Sequence, residues 1–525
     1  MSSALLETSL STNGHAVHLD TETLIVGAGF SGLGMAISLK RAGIESFIVV
    51  ERAADVGGTW RDNQYPGCAC DIPSVLYSFS FARNPKWTRS YPQQQEIWEY
   101  LRFVTDKFDV RKFIRFGTEI VDMRWDENSA TWHTQLKDGS TIVSRFVVAG
   151  LGPLNKPSFP SIPGIERFQG PHWHTAQWRH DVDLTGKRVA VIGTGASAVQ
   201  MVPQIAPKVA KLYVFQRTPS WILPKPDGPI HPIAKWLRNF KPLAWIERKF
   251  VYWVFEARAL GFTVNPGLLK LMESTALKHL AKQITDPALR AKLTPSYRLG
   301  CKRVTPSSDY YPAFNLPQVE LVTDEATQIR EGSIVDERGV VREVDVILFA
   351  SGFRTTDGLT PLTVRGRGGR EMNEAWRDGM SAFYGISVAG FPNFFQLLGP
   401  NTALGHNSVV LMAEAQIRHV VRVLELLRAQ GARSVDVRQD VQDAQNRRLQ
   451  RKMRSTVWST GCKSWYLDKN GKNTTLWPWF TFDYFRNVQR VDLKNYVVIG
   501  PELCQPELVE GRRRDFASRR PSNSG

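Results

Sequence analysis

Gly27-x-Gly29-x-x-Gly32 follows the apolar run 24–26, opens a helical pattern and leads to a second strand, 47–50, that ends on Glu51. Each of these residue types has a task in holding a dinucleotide. Gly27 permits a tight turn, Gly29 lets a pyrophosphate reach the backbone, and Gly32 lets helix and strand pack closely. The helix start offers free N–H groups and the positive end of its dipole to the phosphates. Glu51 lies 22 residues beyond Gly29, where a carboxylate accepts hydrogen bonds from ribose hydroxyls. The pattern recurs as Gly193-x-Gly195-x-x-Ala198, with Arg217 again 22 residues past the middle glycine. Here a cation stands at the ribose position. A carboxylate repels a 2′-phosphate, whereas a guanidinium holds one through charge-assisted hydrogen bonds. The first unit reads as a site for FAD and the second as a site for NADPH.

The elements that must position these groups are strands buried on both faces. RFVVAGLG (145–152) and DVILFASGF (345–353) are near-continuous apolar runs ending in glycine, as in parallel sheets covered by helices. The fold class is therefore α/β, with two nested Rossmann-like dinucleotide-binding domains and a helical insertion. The expected order is a flexible tail over 1–20, the first part of the FAD domain over 21–155, and the first part of the NADPH domain over 165–229. A helical insertion follows over 230–299. The NADPH domain resumes over 300–360 and the FAD domain over 375–510, before a basic flexible tail over 511–525. The Pro-rich stretch 153–163 is the crossing between domains, and the chain returns to the first domain near RGRGGR (365–370).

Between the two units, GGTWRDNQYPGCACD (57–71) fits the pattern [AG]-G-x-W-x4-[FY]-P-[GM]-x3-D through Gly57, Gly58, Trp60, Tyr65, Pro66, Gly67 and Asp71. Phe168-x-Gly170-x3-His174-x3-Trp178 follows just before the second glycine motif. With these two motifs the chain resembles the type I Baeyer–Villiger monooxygenases, class B flavin-dependent enzymes, from about residue 23 to 498. There is one departure: Arg179 stands where that family usually has Pro or Asp, as in the related N- and S-oxidising enzymes. WPW (477–479) departs from the best-known members too.

The resemblance implies an enzyme that uses NADPH and O2 to insert oxygen next to a ketone carbonyl through a flavin C4a-peroxide. The product is an ester or lactone. It makes Arg303 the catalytic arginine and Asp71 its partner. Lys302, with Arg217 and Thr218, would hold the NADPH 2′-phosphate. Trp465 would ride on a mobile loop over nicotinamide and substrate, and His174 would serve domain motion with Phe168, Gly170 and Trp178. The candidate cofactor contacts are completed by Gly27, Gly29, Phe30, Ser31, Gly32, Glu51, Arg52, Thr59, Trp60, Tyr77, Gly193, Gly195 and Ala198, with Asp71 also among them. An N- or S-oxygenating enzyme, and a non-oxygenating NADPH-binding redox sensor or scaffold, are the alternatives. A protonated electrophile is what the former needs, and the Arg303–Asp71 pair speaks against it.

Composition bounds the remaining choices. A chain of 525 residues exceeds one hydrophobic core, which stops growing at roughly 250–300 residues. Its five cysteines form no disulfide framework, and Cys301, Cys462 and Cys504 read as isolated, which suits a reducing, cytoplasmic setting. Cys68-x-Cys70 lacks the four-residue spacing of flavin disulfide reductases. His172, His174 and His180 cluster without the carboxylate or cysteine partners of a metal site, so no metal is expected. The net charge of +17 comes with no nucleic-acid-binding motif. The N-terminal residues lack the charged and apolar regions of a signal peptide. No apolar run reaches the ~20 residues of a membrane span. The basic, aromatic-rich stretch of the insertion could lie on a membrane surface; a lid or packing subdomain is the plainer reading.

Overall fold

The apolar runs 24–26 and 145–149 become neighbouring strands at the centre of the larger of two parallel-stranded sheets in the computed structural model, which describes residues 10–12 and 15–500. In that sheet Thr21–Val26 lies between Phe47–Val50 and Thr141–Ala149, and Ile114–Arg115 pairs beyond Phe47–Val50, all parallel. The end of Thr141–Ala149 also pairs in parallel with Phe394–Gln396, which brings the C-terminal third of the chain back to the first sheet. An antiparallel extension, Ile120–Asp126 and Thr131–Leu136, closes the other part of the same strand. Helices Phe30–Arg41 and Val409–Ala429 cover one face, and their apolar side chains form one buried cluster with Phe146 and Val148.

The second sheet has five parallel strands in the order Val319–Val322, Lys211–Phe215, Arg188–Ile192, Val346–Phe349 and His172–His174. Val346–Phe349, paired on both sides by Arg188–Ile192 and His172–His174, is wholly buried, as the continuous apolar run requires. The segment 232–293 adds helices Pro232–Leu237, Lys241–Ala257, Leu269–Gln283 and Pro287–Leu293. Among the described residues no helix is long and apolar enough to cross a membrane.

Two readings from the sequence change here. Within the expected tail, Leu10–Thr12 and His15–Val17 pair as a short antiparallel hairpin; a three-residue ladder carries no periodicity long enough to see in sequence. Cys301 and Cys462 are not isolated but joined in a disulfide across 161 residues of sequence. Neither has a neighbouring cysteine, so only the fold reveals the pair. The basic tail over 511–525 and Cys504 lie outside the described residues.

Candidate active site between the two dinucleotide units

At the first strand end, Gly27 takes a φ of +93°, and a side chain there would meet the Gly150 carbonyl oxygen at 2.9 Å. A Cβ on Gly32 would fall 1.8 Å from the Gly27 carbonyl oxygen, so helix and turn touch through backbone alone. Gly29 faces Gly58, whose Cα is 3.7 Å from where a Gly29 Cβ would sit. Glycine against glycine leaves a cradle that two side chains would fill. Helix Phe30–Arg41 has no side-chain cap and no acid in its first turn, so its leading N–H groups point at that cradle without an internal acceptor. These features fit a pyrophosphate. Ser31 is buried in the first turn and Ala28 beside it.

Glu51 is buried at the end of Phe47–Val50. One oxygen, Oε2, accepts from the Ala28 backbone N–H at 2.9 Å; the other accepts from Ala53 N–H at 3.0 Å and pairs with Arg61 at 3.1 Å. A carboxylate has about four acceptor sites, so Oε2 keeps capacity for a hydroxyl. Arg52, by contrast, is exposed and forms no ion pair among the described residues. Helix Thr59–Asp62 carries Trp60, whose Nε1–H donates to the Tyr77 hydroxyl at 3.1 Å. Phe30 packs edge-on against Tyr77, so Phe30, Trp60 and Tyr77 form one aromatic wall. Thr59 accepts at its carbonyl from Asn63 and holds the turn that precedes the wall.

The loop 65–71 leaves the first unit and packs on helix Ala196–Ile205 of the second. Gly67 makes that contact possible: a Cβ there would strike the Gln200 carbonyl oxygen at 2.5 Å. The Gln200 side chain then binds the loop, accepting from Tyr65 Oη–H at 2.9 Å and donating to the Ala69 carbonyl at 3.0 Å. Its Nε2–H also donates to Asp71 Oδ1 at 3.1 Å. Asp71 Oδ2 accepts from the Arg303 guanidinium at 3.2 Å. Asp71 is nearly buried, while the Arg303 side chain is 42 % exposed, so the pair has a sheltered anion and an accessible cation. Burial alone would lower the Arg303 pKa, but the Asp71 carboxylate, with Tyr466 adding to it, raises it above its ordinary value. The guanidinium is a permanent charge.

Two further cations converge nearby. The Lys302 ammonium is held below its ordinary pKa, by burial first and by the Arg217 cation second. Arg217 is exposed and, like Lys302, has no carboxylate partner among the described residues. Two like charges held together without a counter-ion are destabilising alone and favourable around a dianion. The Thr218 carbonyl accepts from Thr194 Oγ1–H at 3.0 Å, fixing the strand exit beside Arg217. Gly193 takes a φ of +112° against the Ala350 carbonyl, and no atom lies within 4 Å of a Gly195 Cβ position. Helix Ala196–Ile205 also begins without a side-chain cap, so the second cradle too fits a pyrophosphate. Ala198 is buried at its base.

Trp465 is exposed and its ring packs at a tilt of 54° against buried Tyr466, with ring centroids 4.5 Å apart. Its carbonyl accepts from Thr355 Oγ1–H at 3.1 Å. Burial pushes the Tyr466 hydroxyl up to about 12 despite the opposing Arg303 cation, so it stays a neutral phenol. The Cys301–Cys462 bond ties this same loop to the Lys302–Arg303 segment. The bond holds loop and cations close together.

His174, at the end of strand His172–His174, is fully buried. Its ring packs between Phe159 and Phe353, each at 5.6 Å, which belong to the two stretches of chain leaving the sheets. Burial lowers its pKa, so the ring is neutral, and Nδ1 accepts from Ala176 N–H at 3.1 Å. Phe168 is buried, Gly170 has no room for a Cβ beside the Asp345 carbonyl, and Trp178 packs edge-on against Trp173. These four support the sheet edge and do not reach the Arg303–Asp71 pair.

Sequence reasoning overlooked Gln200, Tyr466, Arg61 and the Cys301–Cys462 bond. Gln200 had one available signal, its place on the helix that Gly195 opens; the others had none before the fold joined distant segments. Cys68 and Cys70 are both buried, which pushes each thiol up to about 12. Neither is the reactive thiolate that a disulfide reductase needs. No group of three or more metal-ligating side chains exists among the described residues.

Residues 21–239 match the flavin-binding monooxygenase-like family model. A Baeyer–Villiger monooxygenase from Streptomyces coelicolor is 45% identical over 93% of this chain and 95% of its own. Another from Pseudomonas aeruginosa is 46% identical over 90% of each. Among solved structures, a steroid monooxygenase bound to NADP superimposes with a TM-score of 0.82 at 29% identity, covering 92% of this chain and 100% of that one. A closed form of cyclohexanone monooxygenase gives 0.84 at 27% identity, over 92% and 99%.

Proposed function

The chain belongs to the Baeyer–Villiger monooxygenases, and from that premise we propose that it converts a ketone, O2, NADPH and a proton into an ester or lactone, NADP+ and water. The observation that carries this reading is the Arg303–Asp71 pair, held at the meeting of the two units by Gln200. Bound FAD supplies oxygen activation and bound NADPH supplies the hydride.

The protein's own groups bind, orient and stabilise charge. The turn at Gly27 and Gly29, with the N–H groups of helix Phe30–Arg41, holds the FAD pyrophosphate. Glu51 Oε2 takes a ribose hydroxyl. The aromatic wall of Phe30, Trp60 and Tyr77 excludes water from the flavin side. Arg217, Thr218 and Lys302 take the 2′-phosphate of NADPH, which relieves their mutual repulsion. Arg303 faces the negative charge that develops on the ketone oxygen, as a preorganised cation in a partly dry cleft. Asp71 fixes its direction, and its buried carboxylate limits the cation's field. Trp465 covers the cleft, and His174, between the two crossings, is the pivot of domain motion.

The substrate class is an apolar ketone, supported by the aromatic lining. A solved cyclohexanone monooxygenase carries ε-caprolactone, a lactone. Use of NADPH favours a cytoplasmic setting; the Cys301–Cys462 bond withdraws the separate support that isolated cysteines gave to it. The test is a panel of linear, cyclic and aromatic ketones given to the purified yellow protein with NADPH. Ester or lactone formation matched to NADPH consumption is expected. Clean N- or S-oxide formation with no ester from any ketone overturns the reading.

A further inference from the structure

Helix Lys241–Ala257 is apolar on both sides. Its buried face packs Tyr252 and Phe255 into an apolar cluster with Leu76 and Leu411, and it also carries Arg248 and Glu256. Arg248 donates to the carbonyl oxygens of Val75 and, at 3.1 Å, Ser78. Glu256 accepts from Asn407 Nδ2–H at 2.9 Å and from the Phe482 backbone N–H at 3.2 Å. Its outer face is an apolar stripe: Leu243, Ile246, Phe250 and Trp253 follow one another at helical spacing, and Phe250 is 69% exposed. A helix face turned to water is ordinarily polar.

The stripe does not stand alone. Of the 24 exposed large apolar side chains among the described residues, 15 fall between Ile233 and Leu277. Scattered exposed apolar residues are ordinary, but a contiguous concentration marks a surface with a partner. Trp236 on the preceding helix and Leu271 on the following one extend it.

Charge identifies the partner. Lys235, Lys241, Lys249 and Lys270 belong to the stripe's helix and the helices before and after it, and none pairs with a carboxylate among the described residues. The chain has no aspartate between Asp227 and Asp286. The two glutamates in residues 231–271 are both engaged, Glu247 by Arg238 and Glu256 within the buried face. A two-fold contact with a second copy would set these cations against themselves. An anionic bilayer meets cations, aromatic rings and aliphatic tips at once: the ammonium groups reach the headgroups, the Trp rings lie at the interface and the aliphatic tips enter the acyl boundary.

We propose that the outward face of helix Lys241–Ala257 and its neighbours seats this protein on the surface of a bilayer that contains anionic phospholipid. No helix among the described residues spans a membrane, so the attachment is monotopic and reversible. It does not depend on the reaction catalysed.

The test is flotation of the holoenzyme with phosphatidylcholine vesicles, with and without about a third phosphatidylglycerol, at about 0.1 M salt. Light scattering of the same samples without lipid reports the oligomeric state. Binding to the anionic vesicles and little to the neutral ones is expected. Lys241→Gln and Lys249→Gln should each weaken it about fivefold. Phe250→Ser and Ile246→Ser should each weaken it about tenfold or more, with no loss of thermal stability, because both side chains already face outward. Absence of binding to either vesicle overturns the proposal. So does binding that Phe250→Ser and Ile246→Ser leave unchanged, or a homodimer that these two substitutions split.

Discussion

The two dinucleotide units share a strand–glycine–helix–strand plan but differ in how the recognition residue is held. In the first, Glu51 is buried and already anchors Ala28, Ala53 and Arg61. In the second, Arg217 is exposed and shares its surroundings with another free cation, Lys302. The third glycine position differs the same way: Gly32 admits no side chain, whereas Ala198 carries one. The first unit is assembled around Glu51, so on the proposed function that group serves folding and ligand together. The second keeps Arg217 outside the fold, which on the proposed function suits a ligand that arrives and leaves. The Arg303–Asp71 pair belongs to both, since Asp71 comes on the first unit's loop and is held by Gln200 of the second.

The largest expected effect is at that junction. Arg303→Ala should cut ester formation by at least about a hundredfold while the flavin is still reduced by NADPH, followed by stopped-flow absorbance and product analysis. Normal ester yield would remove the junction from the chemistry. Next, Glu51→Ala should destabilise the flavin-free protein by about 2–3 kcal/mol, because it strands buried N–H donors; denaturant unfolding measures this. An unchanged midpoint would mean that the first unit is as open as the second. Arg217→Ala should leave stability within about 0.5 kcal/mol and raise the KM for NADPH about tenfold or more, with little change for NADH. An equal effect on both nucleotides would break the contrast.

The smallest effect is pH dependence. His174 in the second unit and His419 beside the first are both held below the ordinary imidazole pKa, chiefly by burial. The unfolded chain takes up these protons near pH 6.5 while the folded chain resists. Their contribution is therefore complete above that pH and is lost as pH falls below it. Each contributes a slope of up to about 1.4 kcal/mol per pH unit. His174→Gln should remove one proton's share of the slope in acid unfolding curves; an unchanged slope would mean that the ring is protonated in the folded state.

Much of this was legible in the chain itself. The α/β class followed from apolar runs ending in glycine, and the two cofactors from Glu51 and Arg217 at equal offsets. The enzyme family followed from the motifs at 57–71 and 168–178. What stayed hidden depended on distant segments meeting. Cys301 and Cys462 look alone in sequence, and Gln200 looks like one polar residue on a helix. The insertion was legible as basic and aromatic, but not which side faced out. Helical spacing alone assigns a stripe to a core; only the fold shows that Leu243, Ile246, Phe250 and Trp253 face out.

The central claim is oxygen insertion, and isotope incorporation tests it most directly. With NADPH, a turned-over ketone and ¹⁸O2, the account predicts one labelled oxygen in each ester or lactone molecule, with one NADPH oxidised per product. Unlabelled ester, or NADPH oxidation that yields only hydrogen peroxide with every ketone tried, would contradict it.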